Sequence, residues 1–150
     1  MLQERDIEVQ STHPRVSGRR NGEHYEFDIL AINGEEVVVV EVKTTLRSED
    51  VTHFLEKLAR FTEYEPVWKG KHIFGAVAYL KTDASVQAYA ERQGLFVIRA
   101  TGNSASVINQ ADFQPRCSVD RSQVGNGLEV CLRLFAVGGQ ISNLPPGACA

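Results

Sequence analysis

Four consecutive valines at residues 37–40, and the stretch Ile-Phe-Gly-Ala-Val-Ala-Tyr-Leu at residues 73–80, carry almost no polar side chain at either alternate set of positions. A strand with one solvated face alternates, so runs of this kind belong to strands covered on both faces. Between them lies a segment of helical spacing. Ser48, followed by Glu49 and Asp50, reads as an N-cap with an acidic first turn, and Val51, Phe54, Leu55, Leu58 and Phe61 then share one side until Pro66 ends the helix. A second helix is predicted over residues 83–93 with Gly94 as its C-terminal cap. A buried strand at residues 95–98 and a short one at 105–108 follow. Upstream, residues 6–16 alternate in part, with an irregularity at Pro14, and read as an edge strand; residues 17–22 read as a polar, basic turn. The order strand, hairpin, helix, strand, helix, strand predicts an α/β protein, a mixed sheet flanked by helices.

A chain of 150 residues with 43% apolar and 23% charged content is expected to form one soluble domain with a real core. That domain is placed at residues 1–116. Residues 117–150 are punctuated by glycine and proline around one apolar stretch at 128–137 and are expected to be a poorly ordered or loosely attached tail. The polar first ten residues lack the pattern of a signal peptide, and no segment approaches membrane-spanning length, so a cytoplasmic protein without a membrane partner is expected. Cys117, Cys131 and Cys149 are widely spaced and odd in number, which points to free thiols rather than a disulfide framework or a zinc site. The net charge of −3 supplies no general attraction to nucleic acid, so phosphate binding has to come from a local patch or a metal.

Residues 25–32 and 35–44 read as two strands joined by Asn33-Gly34, the dipeptide suited to a two-residue type I′ turn. That turn pairs Leu30 with Val37, Asp28 with Val39, Glu26 with Glu41 and His24 with Lys43. Period-two alternation then projects His24, Glu26, Asp28, Glu41 and Lys43 from one face, with Tyr25, Phe27, Ile29, Val38, Val40 and Val42 forming core on the other. A one-residue bulge would turn one strand over against the other. Two carboxylates and an ammonium on one face suit metal-dependent phosphodiester hydrolysis, which needs a hard cation, an activated water and relief of charge on the leaving oxygen. Asp28 and Glu41 are the expected ligands of Mg²⁺, with the Val42 carbonyl as a further oxygen donor. Lys43 is expected to orient the attacking water and offset phosphate charge. The competing reading is a solvated face with Lys43 merely paired to Glu41 or Glu26; two acids directly opposed at Glu26 and Glu41 argue against it, since they repel unless a cation lies there.

Asp28, then Glu41-Val42-Lys43 in a strand followed by a helix, resembles the PD-(D/E)xK nuclease superfamily, the restriction-endonuclease-like fold, and in particular uncharacterised bacterial members whose first half-motif reads E-x-D, here Glu26-Phe27-Asp28. The resemblance spans roughly residues 7–116. It implies a metal-dependent DNA endonuclease or exonuclease, with Asp28 and Glu41 as metal ligands, Lys43 as the catalytic lysine and Mg²⁺, or Mn²⁺ as its substitute, as the cofactor. Glu26 and Thr45 are supporting residues in this reading. Such folds usually open with a helix, which is expected to be absent or truncated where only Met1 to Arg5 precede the first strand. Arg19, Arg20, Lys57 and Arg60 are candidate contacts to DNA phosphates, although a solvated face interleaved with Glu56 and Glu63 also accounts for the two on the helix. DNA is the expected partner, and a second copy of the chain, as a homodimer, is the other one considered. The alternative function is a catalytically inactive module of the same fold that binds nucleic acid or protein.

Overall fold

Asn21 and Gly22 both take positive φ, 52° and 82°, the requirement of a type I′ turn, and they close the first hairpin of the molecule. The computed structural model describes residues 11–101, 104–110 and 112–117. In it the residues expected to form a basic turn are mostly strand: β1 (Ser11–Arg20) pairs antiparallel with β2 (Glu23–Asn33), Arg20 lying opposite Glu23. The expected first strand therefore runs further, to Arg20; its residues 6–10, and the region where an opening helix was expected to be absent or truncated, lie outside the described ones. Gly18 faces Tyr25, whose ring fills the space that a side chain at residue 18 would need.

The second hairpin joins β2 to β3 (Glu36–Leu46), but its turn is Gly34-Glu35 and not Asn33-Gly34. Gly34 has φ 58° and Asn33 stays in the strand opposite Glu36. The pairing consequently slips by two residues from the expected register, with Leu30 opposite Val39 and Ile32 opposite Val37. A slip of two preserves the faces next to the turn.

Further along β2 the faces do change. Leu30 and Ile32 pack with Val37 and Val39 in one core cluster, yet so do Tyr25 and Phe27, which have the opposite parity. The break falls at Asp28. Its expected partner across the first hairpin, Arg15, has φ 50°, and the ladder passes from Pro14 opposite Ile29 to Val16 opposite Phe27. Both strands turn over together, so the register survives while the side chains exchange sides. Tyr25 and Phe27 thus belong to the core on the same side as Val37 and Val39. By alternation, Glu26 and His24 point to the other side, against the expectation that they share a face with Glu41.

The remaining strands are β4 (His72–Thr82), β5 (Phe96–Thr101) and β6 (Ser104–Val107), in the sheet order β1-β2-β3-β4-β5-β6. β3, β4 and β5 are parallel, which explains the continuous apolar runs, and the other neighbours are antiparallel. Parallel neighbours require a crossover. The crossovers are α1 (Ser48–Ala59), continued by a one-turn α2 (Phe61–Tyr64) and a 3₁₀ turn (Pro66–Trp68), and α3 (Ala84–Arg92). Ser48 is the first helical residue, not the cap; the Arg47 N–H is satisfied by Asp50 Oδ2 at 2.9 Å. The helix also pauses at Arg60, six residues before Pro66.

All described helices pack on one face of the sheet. Val51, Phe54, Leu58, Phe61 and Tyr64 from α1 and α2, and Ala90 from α3, join Tyr25, Phe27, Val37, Val39, Val77 and Val97. The opposite face carries Ala31, Val38, Val40, Phe74, Ala76, Phe96 and Ile98, against which Phe113 and Cys117 pack. Asn109, buried beside β5, bonds the Val97 N–H at 2.7 Å and donates to the Leu95 carbonyl, extending the sheet edge with a side chain. Gly94 has φ 80°, as its capping role requires, and its carbonyl accepts from Arg116 N–H at 3.0 Å. Cys117 is a free thiol; the expectations for the other two cysteines and for residues 118–150 fall outside the described residues. Among the described residues no helix is long and apolar enough to cross a membrane.

Candidate active site

Beyond Ile29 and Val40 the ladder between β2 and β3 stops, although both strands continue. Asp28 is the residue at which they part. Its Oδ2 accepts the Val42 N–H at 2.8 Å, taking with a carboxylate the place a main-chain carbonyl would hold in a continued ladder. From there β2 stays with β1, and β3 stays with β4, so a fork opens at the C-terminal end of β3.

Glu41 stands on the α1 side of β3, in phase with Val37 and Val39, and its carboxylate lies between two lysines. Lys57 of α1 donates to Glu41 Oε2 at 2.8 Å, whereas Lys43 Nζ is 3.9 Å from Oε1. Lys43 is also 3.6 Å from Asp50 Oδ1, the same carboxylate that caps α1. The start of α1 and the end of β3 are therefore tied through one aspartate. Lys57 Nζ makes a second bond of 2.8 Å to the Glu26 carbonyl and lies 5.3 Å from the centre of the Phe27 ring. It spans the fork, from the main chain of β2 to the side chain of β3.

The structure brings Asp28, Glu41, Val42 and Lys43 to one end of the sheet. Asp28 is half-buried, while the Glu41 side chain keeps 13% of its exposure and Lys43 keeps 38%. Glu26 contributes its carbonyl and not its carboxylate, which is exposed on the other side, and the repulsion expected between Glu26 and Glu41 does not arise. Val42, expected in the core, is 48% exposed. Thr45 is exposed two residues beyond Lys43, opposite Lys81. Arg19 and Arg20 are exposed at the tip of the first hairpin, but Arg60 is committed elsewhere: it bonds Glu23 at 2.7 Å and Glu63 at 3.2 Å and stacks on Tyr64. Those carboxylates hold its guanidinium proton even more firmly than usual. Phe61 and Tyr64 are buried packing, and Trp68 packs against the same core.

Asp50 is the residue at the site that the sequence reading missed, and Lys57, expected to contact DNA phosphates or to lie on a solvated face, is instead bound to Glu41 and the Glu26 carbonyl. The signal for Lys57 was present, since it lies three residues after Phe54 and four before Phe61 and so shares their side of the helix. A lysine inside an apolar stripe either snorkels out or meets a carboxylate, and here it meets one.

The donor set suits a hard cation. Among the described residues no group of three or more His, Cys, Asp or Glu side chains forms a cage, and Mg²⁺ is usually held by one or two carboxylates, with waters and substrate phosphates completing its shell. Asp28 has Oδ1 and Glu41 has Oε1 outside the hydrogen bonds described above.

In comparisons with known proteins, no functionally curated protein matches. Similar solved structures include a repair endonuclease from Pyrococcus abyssi, 16% identical with a TM-score of 0.41 over 59% of this chain and 39% of that one. Another is the complex of EndoMS with double-stranded DNA, 13% identical with a TM-score of 0.42 over 64% and 39% of the two chains. A third, the protein of unknown function AF1548, is 19% identical with a TM-score of 0.42 over 58% and 47%. The chain spans less than half the length of each of these structures. The family model described as AHJR-like (REase_AHJR-like) matches residues 22–99, the span from the tip of the first hairpin through β5 that contains the whole fork. The chain belongs to this AHJR-like family, within the restriction-endonuclease-like PD-(D/E)xK superfamily.

Proposed function

We propose that the chain is a divalent-metal-dependent nuclease that hydrolyses phosphodiester bonds of DNA at the fork between β2 and β3. The observation that carries this reading is the conjunction at one strand end of Asp28, pinned to the Val42 N–H, with Glu41 and a more exposed Lys43. Membership of a restriction-endonuclease-type family supports DNA as the substrate. Asp28 and Glu41 would hold Mg²⁺ or Mn²⁺, with the Val42 carbonyl as a third oxygen. When bound, the ion supplies charge stabilisation at the phosphate and lowers the pKa of a coordinated water.

The chain's own groups do the rest. Asp28 cannot rotate freely, because its Oδ2 is spent on Val42, so its second oxygen is presented in a fixed direction. Lys43 is held loosely, 3.6 Å from Asp50 and 3.9 Å from Glu41, and so is free to donate to an attacking water or to a phosphate oxygen. Its place beside two carboxylates, without a close bond to either, suits orientation of a water and relief of phosphate charge. Arg19 and Arg20, exposed at the hairpin tip, contact the DNA backbone beyond the scissile bond.

The inactive-module reading draws on one specific observation, the neutralisation of Glu41 by two lysines. A nicking assay separates the two. Supercoiled plasmid, linear duplex and single-stranded DNA are incubated with Mg²⁺, with Mn²⁺ and with chelator. Metal-dependent cleavage that is lost in Asp28→Asn supports the nuclease. Intact DNA of every form in both metals would leave the inactive module.

A further inference from the structure

Lys57 does not behave as the surface lysine of a solvated helix face. Its ammonium is held at 2.8 Å from Glu41 Oε2 and at 2.8 Å from the Glu26 carbonyl, and it lies 5.3 Å and 6.0 Å from the ring centres of Phe27 and Phe54. Two acceptors from two strands and two aromatic faces make a built seat for one positive charge. Lys43, by contrast, touches Glu41 only at 3.9 Å and is the more exposed of the two, 38% against 26% for the side chains.

We propose that Lys57 is the resident cation of Glu41: it holds the carboxylate in place while no ion is bound, and it competes with the divalent ion for that carboxylate. This rests on the reading of Glu41 as a metal ligand. Glu41 would meet an ion through Oε1, or through Oε2 shared with the ammonium, and in either case the ion and Lys57 would draw on one carboxylate charge. An ion on Glu41 would add a second positive charge beside the Lys57 ammonium, where the Glu41 side chain keeps only 13% of its exposure, and the two would repel. Lys57 cannot simply leave, because the Glu26 carbonyl and the Phe27 ring hold it independently of Glu41. Affinity for the ion is thereby kept down, and the lysine is a positioning residue that sets how much metal the site needs. The two lysines divide the work: Lys57 serves the carboxylate and Lys43 stays available to the reaction.

Binding of Mn²⁺ to the full chain, followed by electron paramagnetic resonance of the free ion, tests this without any cleavage. Lys57→Met keeps the stem among Phe27 and Phe54 and removes only the charge; Lys57→Gln guards against a packing effect particular to methionine. Both should bind Mn²⁺ at least about tenfold more tightly than wild type, the size expected when a like charge is removed beside the ion. Lys71→Met is the control: it makes the same change of net charge at the far end of β3, where Lys71 pairs with Glu35, and should leave the affinity unchanged. Glu41→Ala marks the reading beneath the proposal, and it should abolish the binding. Unchanged or weaker binding in both Lys57 variants, with Glu41→Ala still abolishing it, overturns the competition alone. Binding that survives Glu41→Ala overturns the metal reading and the competition together.

Discussion

Asp28 links a fold detail to the proposed function. Its carboxylate replaces a main-chain acceptor for the Val42 N–H, so the place where two strands separate is also the place where an acidic group is fixed. Asp28→Asn retains a side-chain oxygen acceptor and should melt within about 1 kcal/mol of wild type, whereas Asp28→Ala should lose about 0.5–1.5 kcal/mol with the hydrogen bond. Both should lose metal-dependent cleavage, which separates the structural role of the oxygen from the charge the ion needs; urea melts and nicking assays on the two variants check it. That Asp28, Glu41 and Lys43 gather at one strand end was legible because E-x-K at the end of an apolar strand is a local pattern. The partners of these residues were not. Alternation predicts faces only while the strand stays regular, and the joint turnover at Arg15 and Asp28 left Glu26 and His24 on the wrong side of the argument. Nothing in the composition of Arg15 announces a positive φ.

At the scale of elements, the seat of Lys57 depends on how closely α1 lies on the sheet. Gly75 of β4 makes that approach possible, since a Cβ there would stand 2.6 Å from the Leu58 Cδ2 and 2.6 Å from the Leu95 Cδ2, both buried. Gly75→Ala should destabilise the fold by about 1–3 kcal/mol through overpacking, seen as a lower midpoint in denaturant melts. The first hairpin is anchored differently. Tyr25 stacks on Tyr64 at 4.7 Å and donates its hydroxyl to Glu65 at 2.7 Å, which ties the hairpin to α2 and the loop that follows it. That hydrogen bond, then burial, holds the Tyr25 proton above the ordinary tyrosine range, and burial does the same for Tyr64 and Tyr79. A folded-state value raised above the unfolded one gives stability that is complete below about pH 10 and is lost as pH climbs through the raised values. Denaturant midpoints should therefore fall above about pH 10, and less steeply in Tyr25→Phe. The strands and both crossover helices were legible from periodicity. The turn at Gly34-Glu35 was not, because either dipeptide containing Gly34 supplies one positive φ and only packing of Leu30 against Val39 selects between them.

For the molecule as a whole, β3, β4 and β5 form a parallel centre, and the fork with β2 at the C-terminal end of β3 is where the candidate site lies. The apolar runs made this architecture readable, since only strands covered on both faces can carry them. In the proposed reading Lys43 acts on the reaction while Asp28 and Glu41 hold the ion. The most direct measurement is single-turnover DNA cleavage at saturating Mn²⁺, alongside Mn²⁺ affinity, for wild type and Lys43→Ala. Lys43→Ala should bind Mn²⁺ at least as tightly as wild type and cleave on the order of a hundredfold to ten-thousandfold more slowly. Wild-type cleavage rates in Lys43→Ala at saturating metal would contradict it.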